Sequence, residues 1–198
     1  DLGINFIDTA NVYEGYKRFF GSPGGTAEEI VGKAIQGRRD NFIVATKVCA
    51  PVGPGPQDRG LSASHILREL DRSLKRLQTD YIDLYYIHRP RSDTPIDETL
   101  RALDDLTHAG KIRYVGTSTF AAWQLMESLW VAKELGLNRV VCEQPPFNLL
   151  DRRIERELLP MAQTYGIGII VWSPLAYGLL TGKYTRNSDP PAESRLSE

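Results

Sequence analysis

The chain has 198 residues, 41% hydrophobic and 25% charged, enough apolar content to build a core in one large domain or two small ones. Lysine and arginine number 24 against 25 aspartates and glutamates, a formal net charge of −1 that leaves no basic footprint for nucleic acid or an anionic membrane. The longest clear apolar run, Ile167–Trp172, is far short of the roughly 18 residues a membrane helix needs, and two cysteines, Cys49 and Cys142, cannot make a disulfide framework, so reduced thiols in a cytoplasmic protein are expected.

In chain order, the opening residues read as a strand already under way, with Ile4, Phe6 and Ile7 ending at Asp8-Thr9, so the chain is expected to be a piece of a longer protein. Thr26 and Glu29 have the spacing of a capping box ahead of Ile30, Ala34 and Ile35. Phe42–Thr46 predicts a second strand. Ile66, Leu67, Leu70, Leu74 and Leu77 then mark one face of a helix. After a third strand at Tyr81–Ile87, Thr94-Pro95 supplies an N-cap and first-turn proline for a helix running to about Ala109, closed by Gly110. Further strands are predicted at Ile112–Gly116, Val140–Cys142 and Ile167–Trp172. Helices are predicted at Ala121–Leu135 and Asp151–Tyr165, the last broken or kinked by Pro160. His65 and His108 read as surface residues on helices, and Arg186–Glu198 as a polar, Pro-rich loop or lid. Two loops, Glu14–Gly25 and Ala50–Gly60, are long enough to serve a site.

Strict alternation of strands and helices implies an α/β fold with a parallel sheet covered by helices. Each strand delivers a polar group at its carboxyl end: Asp8, Lys47, His88, Ser118, Gln144 and Ser173 in turn. In a parallel barrel those ends share one face, although a doubly wound sheet also gathers residues there. The dinucleotide fingerprint of that alternative fails, because Asp58 occupies the third glycine position after Gly53 and Gly55 and no helix opens there. The histidines have no metal-ligand spacing and there is no CxxC, so no metal site is expected.

Asp8, Tyr13, Lys47 and His88 make chemical sense together. A tyrosine phenol is a poor acid at neutral pH, but a nearby ammonium favours its phenolate, and a carboxylate holds the ammonium in place. A neutral imidazole beside them could orient a carbonyl oxygen. The set is a proton donor for carbonyl reduction, with the hydride supplied from elsewhere. Singly, each has an ordinary explanation: Asp8 a turn cap, Lys47 a salt-bridge partner, Tyr13 a rim residue, His88 a loop histidine.

The motifs FIDTANVY, VATKV, YYIHRP, GTS, EQPPFN and WSPLAYGLLTGKY, in that order from Leu2 to about Tyr184, resemble the aldo-keto reductase superfamily. They look most like the branch of bacterial reductases and potassium-channel β subunits. The resemblance implies a (β/α)8 TIM-type barrel, here incomplete with about six strands, making a single domain over residues 1–198 truncated at both ends. It implies Tyr13 as general acid, Lys47 as the group lowering its pKa, Asp8 as the anchor of Lys47 and His88 as the orienter of the carbonyl. NADPH is the implied cofactor, with NAD not excluded because the segment that reads the 2′-phosphate is missing. Ser118 and Gln144 match positions holding the nicotinamide amide. Trp172, Ser173, Pro174, Leu175 and Gly178 match the stretch facing nicotinamide and pyrophosphate, and Lys183 matches a lysine near the phosphates.

The chain departs from that pattern at Thr119, where the family often has Asn, and in the length of the loop after Tyr13. The expected function is NADP-dependent reduction of aldehydes or ketones to alcohols, with a small-molecule carbonyl as partner and neither nucleic-acid binding nor membrane insertion. Strand edges left open by the missing strands are available for pairing into a homo-oligomer. Two alternatives stand beside it: a cofactor-binding regulatory subunit resembling the channel β subunits, and an inactive partial chain.

Overall fold

Runs of β-branched residues buried on both faces fold as parallel strands when helices cover the sheet. The computed structural model describes residues 3–14, 21–192 and 194–197, and it has this arrangement. Six parallel strands, β1 (Phe6–Asp8), β2 (Ile43–Val48), β3 (Ile82–Ile87), β4 (Ile112–Ser118), β5 (Val140–Gln144) and β6 (Gly168–Ile169), pair in strict chain order. A doubly wound sheet reverses its strand order at a switch point; this one never does, which is the topology of a barrel. The sheet is an incomplete barrel of the TIM type. Its helices are α1 (Thr26–Ile35), α2 (Ala63–Leu77), α3 (Ile96–His108), α4 (Ala122–Leu135) and α5 (Leu158–Tyr165).

The strand period of two sorts side chains between two cores. Val44, Val48, Tyr85, Ile87 and Val115 pack outward with Ile66, Leu70, Leu103 and Leu125 of the helices in the main cluster. Ala45, Leu84, Tyr86 and Cys142 form a smaller inner cluster. Lys47, His88, Ser118 and Gln144 each follow an inner-facing position by two residues, so the same alternation aims all four at the barrel axis. Gly116 belongs to this face: a Cβ there would lie 2.6 Å from Cδ1 of Tyr86, so only glycine lets the tyrosine ring cross β4.

Several sequence expectations are corrected at their edges. α1 begins at Thr26 itself, capped by the Gly25 backbone (φ 92°), so Thr26 and Glu29 form no capping box. Position 25 suits glycine on two counts: its backbone is left-handed, and a Cβ there would lie 2.5 Å from Cδ of Arg76 on α2. The N-cap of α3 is Pro95 rather than Thr94. The expected Asp151–Tyr165 helix is a 3-10 turn at Arg153–Glu155 followed by α5, which places Pro160 at the third helical position, where its missing N–H has no intrahelical acceptor to lose. Only Gly168–Ile169 of the Ile167–Trp172 run pairs as a strand, although Trp172 makes an isolated bridge to Pro146. His65 is fully buried on α2 rather than at the surface. Of the Glu14–Gly25 loop, residues 15–20 lie outside the described residues. The Ala50–Gly60 loop is closed by its own backbone bonds, Val52 N–H to Asp58 O and Gly60 N–H to Cys49 O.

Candidate active site

Lys47 is fully buried at the carboxyl end of β2. A buried ammonium is tolerated only with partners, and this one donates to Asp8 Oδ2 at 2.6 Å and to the Thr9 carbonyl at 2.8 Å. Asp8 is itself held from the far side of the sheet, where Gln144 Nε2 donates to its Oδ1 at 2.9 Å. Two tyrosine rings flank the ammonium, with centroids 4.9 Å away for Tyr13 and 5.7 Å for Tyr86. The ring of His88 meets that of Tyr13 edge-on at 5.8 Å. Asp8, Tyr13, Lys47 and His88, dispersed in sequence, therefore share one site.

The two tyrosines are not equivalent. Tyr86 is fully buried, its hydroxyl 3.4 Å from Cys142 Sγ, and burial pushes its phenol far above the ordinary value, so it stays protonated. Tyr13 is 41% exposed and lines a cleft of about 470 Å³. Of the pair beside Lys47, Tyr13 is the one that can meet a solute.

Ser118, Gln144, Trp172 and Ser173 line the same cleft. Ser118 Oγ donates to the Gln144 carbonyl at 2.9 Å, which locks the ends of β4 and β5 together. Ser173 has a left-handed backbone (φ 58°), as do Ala176 (φ 48°) and Tyr177 (φ 56°); such a cluster of strained non-glycine residues is characteristic of functional loops. Pro174 and Leu175 are exposed and line no part of the cleft. Gly178 (φ 97°) lies in the 3-10 segment Ala176–Thr181, and Lys183 packs against it, exposed, with its ammonium over the Tyr184 ring. The structure thus brings eight of the twelve expected residues together and leaves Pro174, Leu175, Gly178 and Lys183 outside the cleft wall.

Sequence reasoning missed Tyr86, the Thr9 carbonyl, Arg89, Tyr177 and Arg195, all of which line the cleft or touch its buried cation. Tyr86 was legible in principle, since it precedes His88 by one strand period.

Two buried carboxylates brace the site from behind. Glu28 accepts from Thr46 Oγ1 (2.6 Å) and Arg76 Nε (2.6 Å), tying α1 to β2 and α2. Glu69 on α2 accepts from Arg72 Nη1 (2.7 Å) and from Asn11 Nδ2 (3.2 Å), anchoring the turn that carries Tyr13. A third, Glu143, accepts from Thr117 Oγ1 (2.5 Å) and the Phe120 N–H (3.0 Å) next to Ser118. Burial outweighs those bonds and pushes its carboxyl up to about 7. Among the described residues no three His, Cys, Asp or Glu gather as a metal site, and no helix is long and apolar enough to cross a membrane.

Residues 1–198 match the family model described as Aldo/keto reductase family. The chain belongs to that family. Among its curated relatives, a protein from Oryza sativa named "Probable voltage-gated potassium channel subunit beta" is 44% identical over 100% of this chain and 58% of its own length. "Uncharacterized oxidoreductase YrpG" of Bacillus subtilis is 43% identical over 95% of the chain and 58% of its own length. "L-glyceraldehyde 3-phosphate reductase" of Escherichia coli is 37% identical over 99% and 55%. The chain spans a little over half the length of these relatives, in keeping with a barrel of six strands.

Proposed function

We propose that the protein is an NADP-dependent carbonyl reductase of the aldo/keto reductase family, acting on aldehydes or ketones in the cytoplasm. The observation that carries the reading is the buried Lys47 ammonium, clamped by Asp8 and set against the ring of Tyr13, the accessible one of the two tyrosines that flank it. Tyr13 is the general acid: its hydroxyl donates the proton to the carbonyl oxygen as charge develops there. The Lys47 ammonium lies against the ring on which the negative charge is left, and Asp8 holds that ammonium in place. His88, edge-on to Tyr13, orients the carbonyl.

The residues present suit a nicotinamide cofactor. The Ser118 hydroxyl and Gln144 carboxamide can pair with an amide, and the Trp172 indole beside them offers an aromatic face, all on one cleft. A reduced nicotinamide bound there supplies the hydride that the reduction requires. The family match and the relatives named as an oxidoreductase and as an aldehyde phosphate reductase support this reading.

Replacing Tyr13 with Phe tests it. NADPH oxidation by the intact protein with 4-nitrobenzaldehyde should fall by about 100-fold or more, while NADPH affinity, read by fluorescence titration, stays within about twofold. A variant that keeps its turnover would refute the acid assignment. The relatives named as channel β subunits support a second reading, a cofactor-binding subunit of a membrane channel. Cofactor binding without turnover on any carbonyl, together with co-purification of a membrane protein, would favour it.

A further inference from the structure

We propose that Arg89 selects carbonyl substrates bearing an anionic oxygen group, a carboxylate or a phosphate, close to the reacting carbonyl. The inference rests on the reductase reading and adds its substrate class. Arg89 follows His88 directly at the carboxyl end of β3, about 3.8 Å along the backbone. It lines the cleft that holds Tyr13 and His88, and it also lines a second cleft of about 500 Å³. Thr119, Trp172, Ser173 and Tyr177 are common to both, so the two clefts adjoin along one groove wall and Arg89 stands on the wall they share.

Its charge has no ion-pair partner among the described residues. Arg39 and Arg113 pair with Asp83, Arg91 with Asp93 and Arg153 with Asp151, whereas Arg89 is exposed with no carboxylate in ion-pair distance among the described residues. The groove walls offer it none. Their one carboxylate, Asp151, is taken up by Arg153, whose Nε reaches Oδ1 at 2.8 Å and Nη2 reaches Oδ2 at 2.7 Å. Lys47 is neutralised by Asp8, and the guanidinium of Arg195, at the same mouth, lies over the Tyr177 ring at 4.9 Å. The groove therefore carries an uncompensated positive charge beside the proposed general acid. A guanidinium offers two parallel N–H donors, a fork that matches carboxylate or phosphate oxygens and a neutral aldehyde cannot use.

The test compares matched substrates on the intact protein and its Arg89→Gln variant: 4-carboxybenzaldehyde against 4-nitrobenzaldehyde, and glyceraldehyde 3-phosphate against glyceraldehyde. The ratio of kcat/KM for the charged over the uncharged member should fall about 10- to 100-fold in the variant, the range of a charged hydrogen bond, with the loss in KM. A greater fall for the phosphate pair assigns the site to phosphate esters, and a greater fall for the benzaldehyde pair assigns it to carboxylates. An unchanged ratio overturns the proposal, as does a raised KM for NADPH with the ratio unchanged, which would give the guanidinium to the cofactor. If no carbonyl is turned over at all, the reductase reading fails by itself. Binding of 4-carboxybenzaldehyde, followed by tryptophan quenching, then decides the anion site: weaker binding to Arg89→Gln supports it, and equal binding overturns it.

Discussion

Glu143 makes stability depend on pH in a direction opposite to that of most surface carboxylates. Its side chain is fully buried, and burial raises its pKa from 4.5 to about 7 despite the bonds from Thr117 and the Phe120 N–H. The folded protein therefore holds a proton that the unfolded chain releases between those values. A raised acid pKa contributes stability that is complete below the unfolded value of 4.5 and is lost as pH climbs through about 7. At 1.36 kcal/mol per unit, the loss approaches about 3 kcal/mol by pH 8. Glu143→Gln should flatten this component, because an amide oxygen can accept from the Phe120 N–H and the Thr117 hydroxyl can turn to accept from the amide. Urea unfolding of both proteins at pH 5, 6, 7 and 8 would check it, the variant gaining on the parent as pH rises. Parallel stability curves would refute a carboxyl that titrates with folding.

Two further outcomes follow from packing. Gly116→Ala would place a methyl 2.6 and 2.7 Å from Cδ1 and Cε1 of the buried Tyr86 ring, and should cost about 1–3 kcal/mol of stability, read as a lower urea midpoint; an unchanged midpoint would show that the ring yields freely. Cys49 and Cys142 are both buried, and burial pushes the Cys49 thiol up to about 11, leaving on the order of one thiolate in a thousand at pH 8. Ellman's reagent should therefore label neither until urea unfolds the chain, and rapid labelling of the folded protein would contradict this burial.

What was legible in the sequence was whatever depends on local period. Apolar runs alternating with 3.6-period faces gave the strand and helix order. A polar residue closing each strand pointed to one common face, because a period of two carries Lys47, His88, Ser118 and Gln144 inward together. What was hidden depends on partners far along the chain. Thr26 looked like a cap, but the helix takes it as its first residue and starts from the left-handed Gly25, packed against Arg76 of another helix. Pro160 looked like a break because a helix begun at Asp151 would hold it in its interior, whereas the 3-10 turn at Arg153–Glu155 delays α5 until the proline falls in its first turn. His65 looked exposed because a polar residue on an amphipathic helix usually is; here it is buried beside Arg68, whose Nη2 lies 3.2 Å from its Nδ1, and burial lowers its pKa. The groove around Arg89 could not be read at all, since it is shaped by segments after β3, β4, β5 and β6.

The bond between Gln144 and Asp8 spans 136 positions of sequence, yet β1 and β5 share no backbone ladder. Their side chains touch only because the intervening strands have already curved the sheet around on itself. This makes the bond a clasp of high contact order, one whose geometry requires β2, β3 and β4 to be in register between its two ends. A partly folded chain can thus hold the Asp8–Lys47 pair on the neighbouring strands β1 and β2 and still lack the brace that Gln144 gives Asp8 from across the sheet.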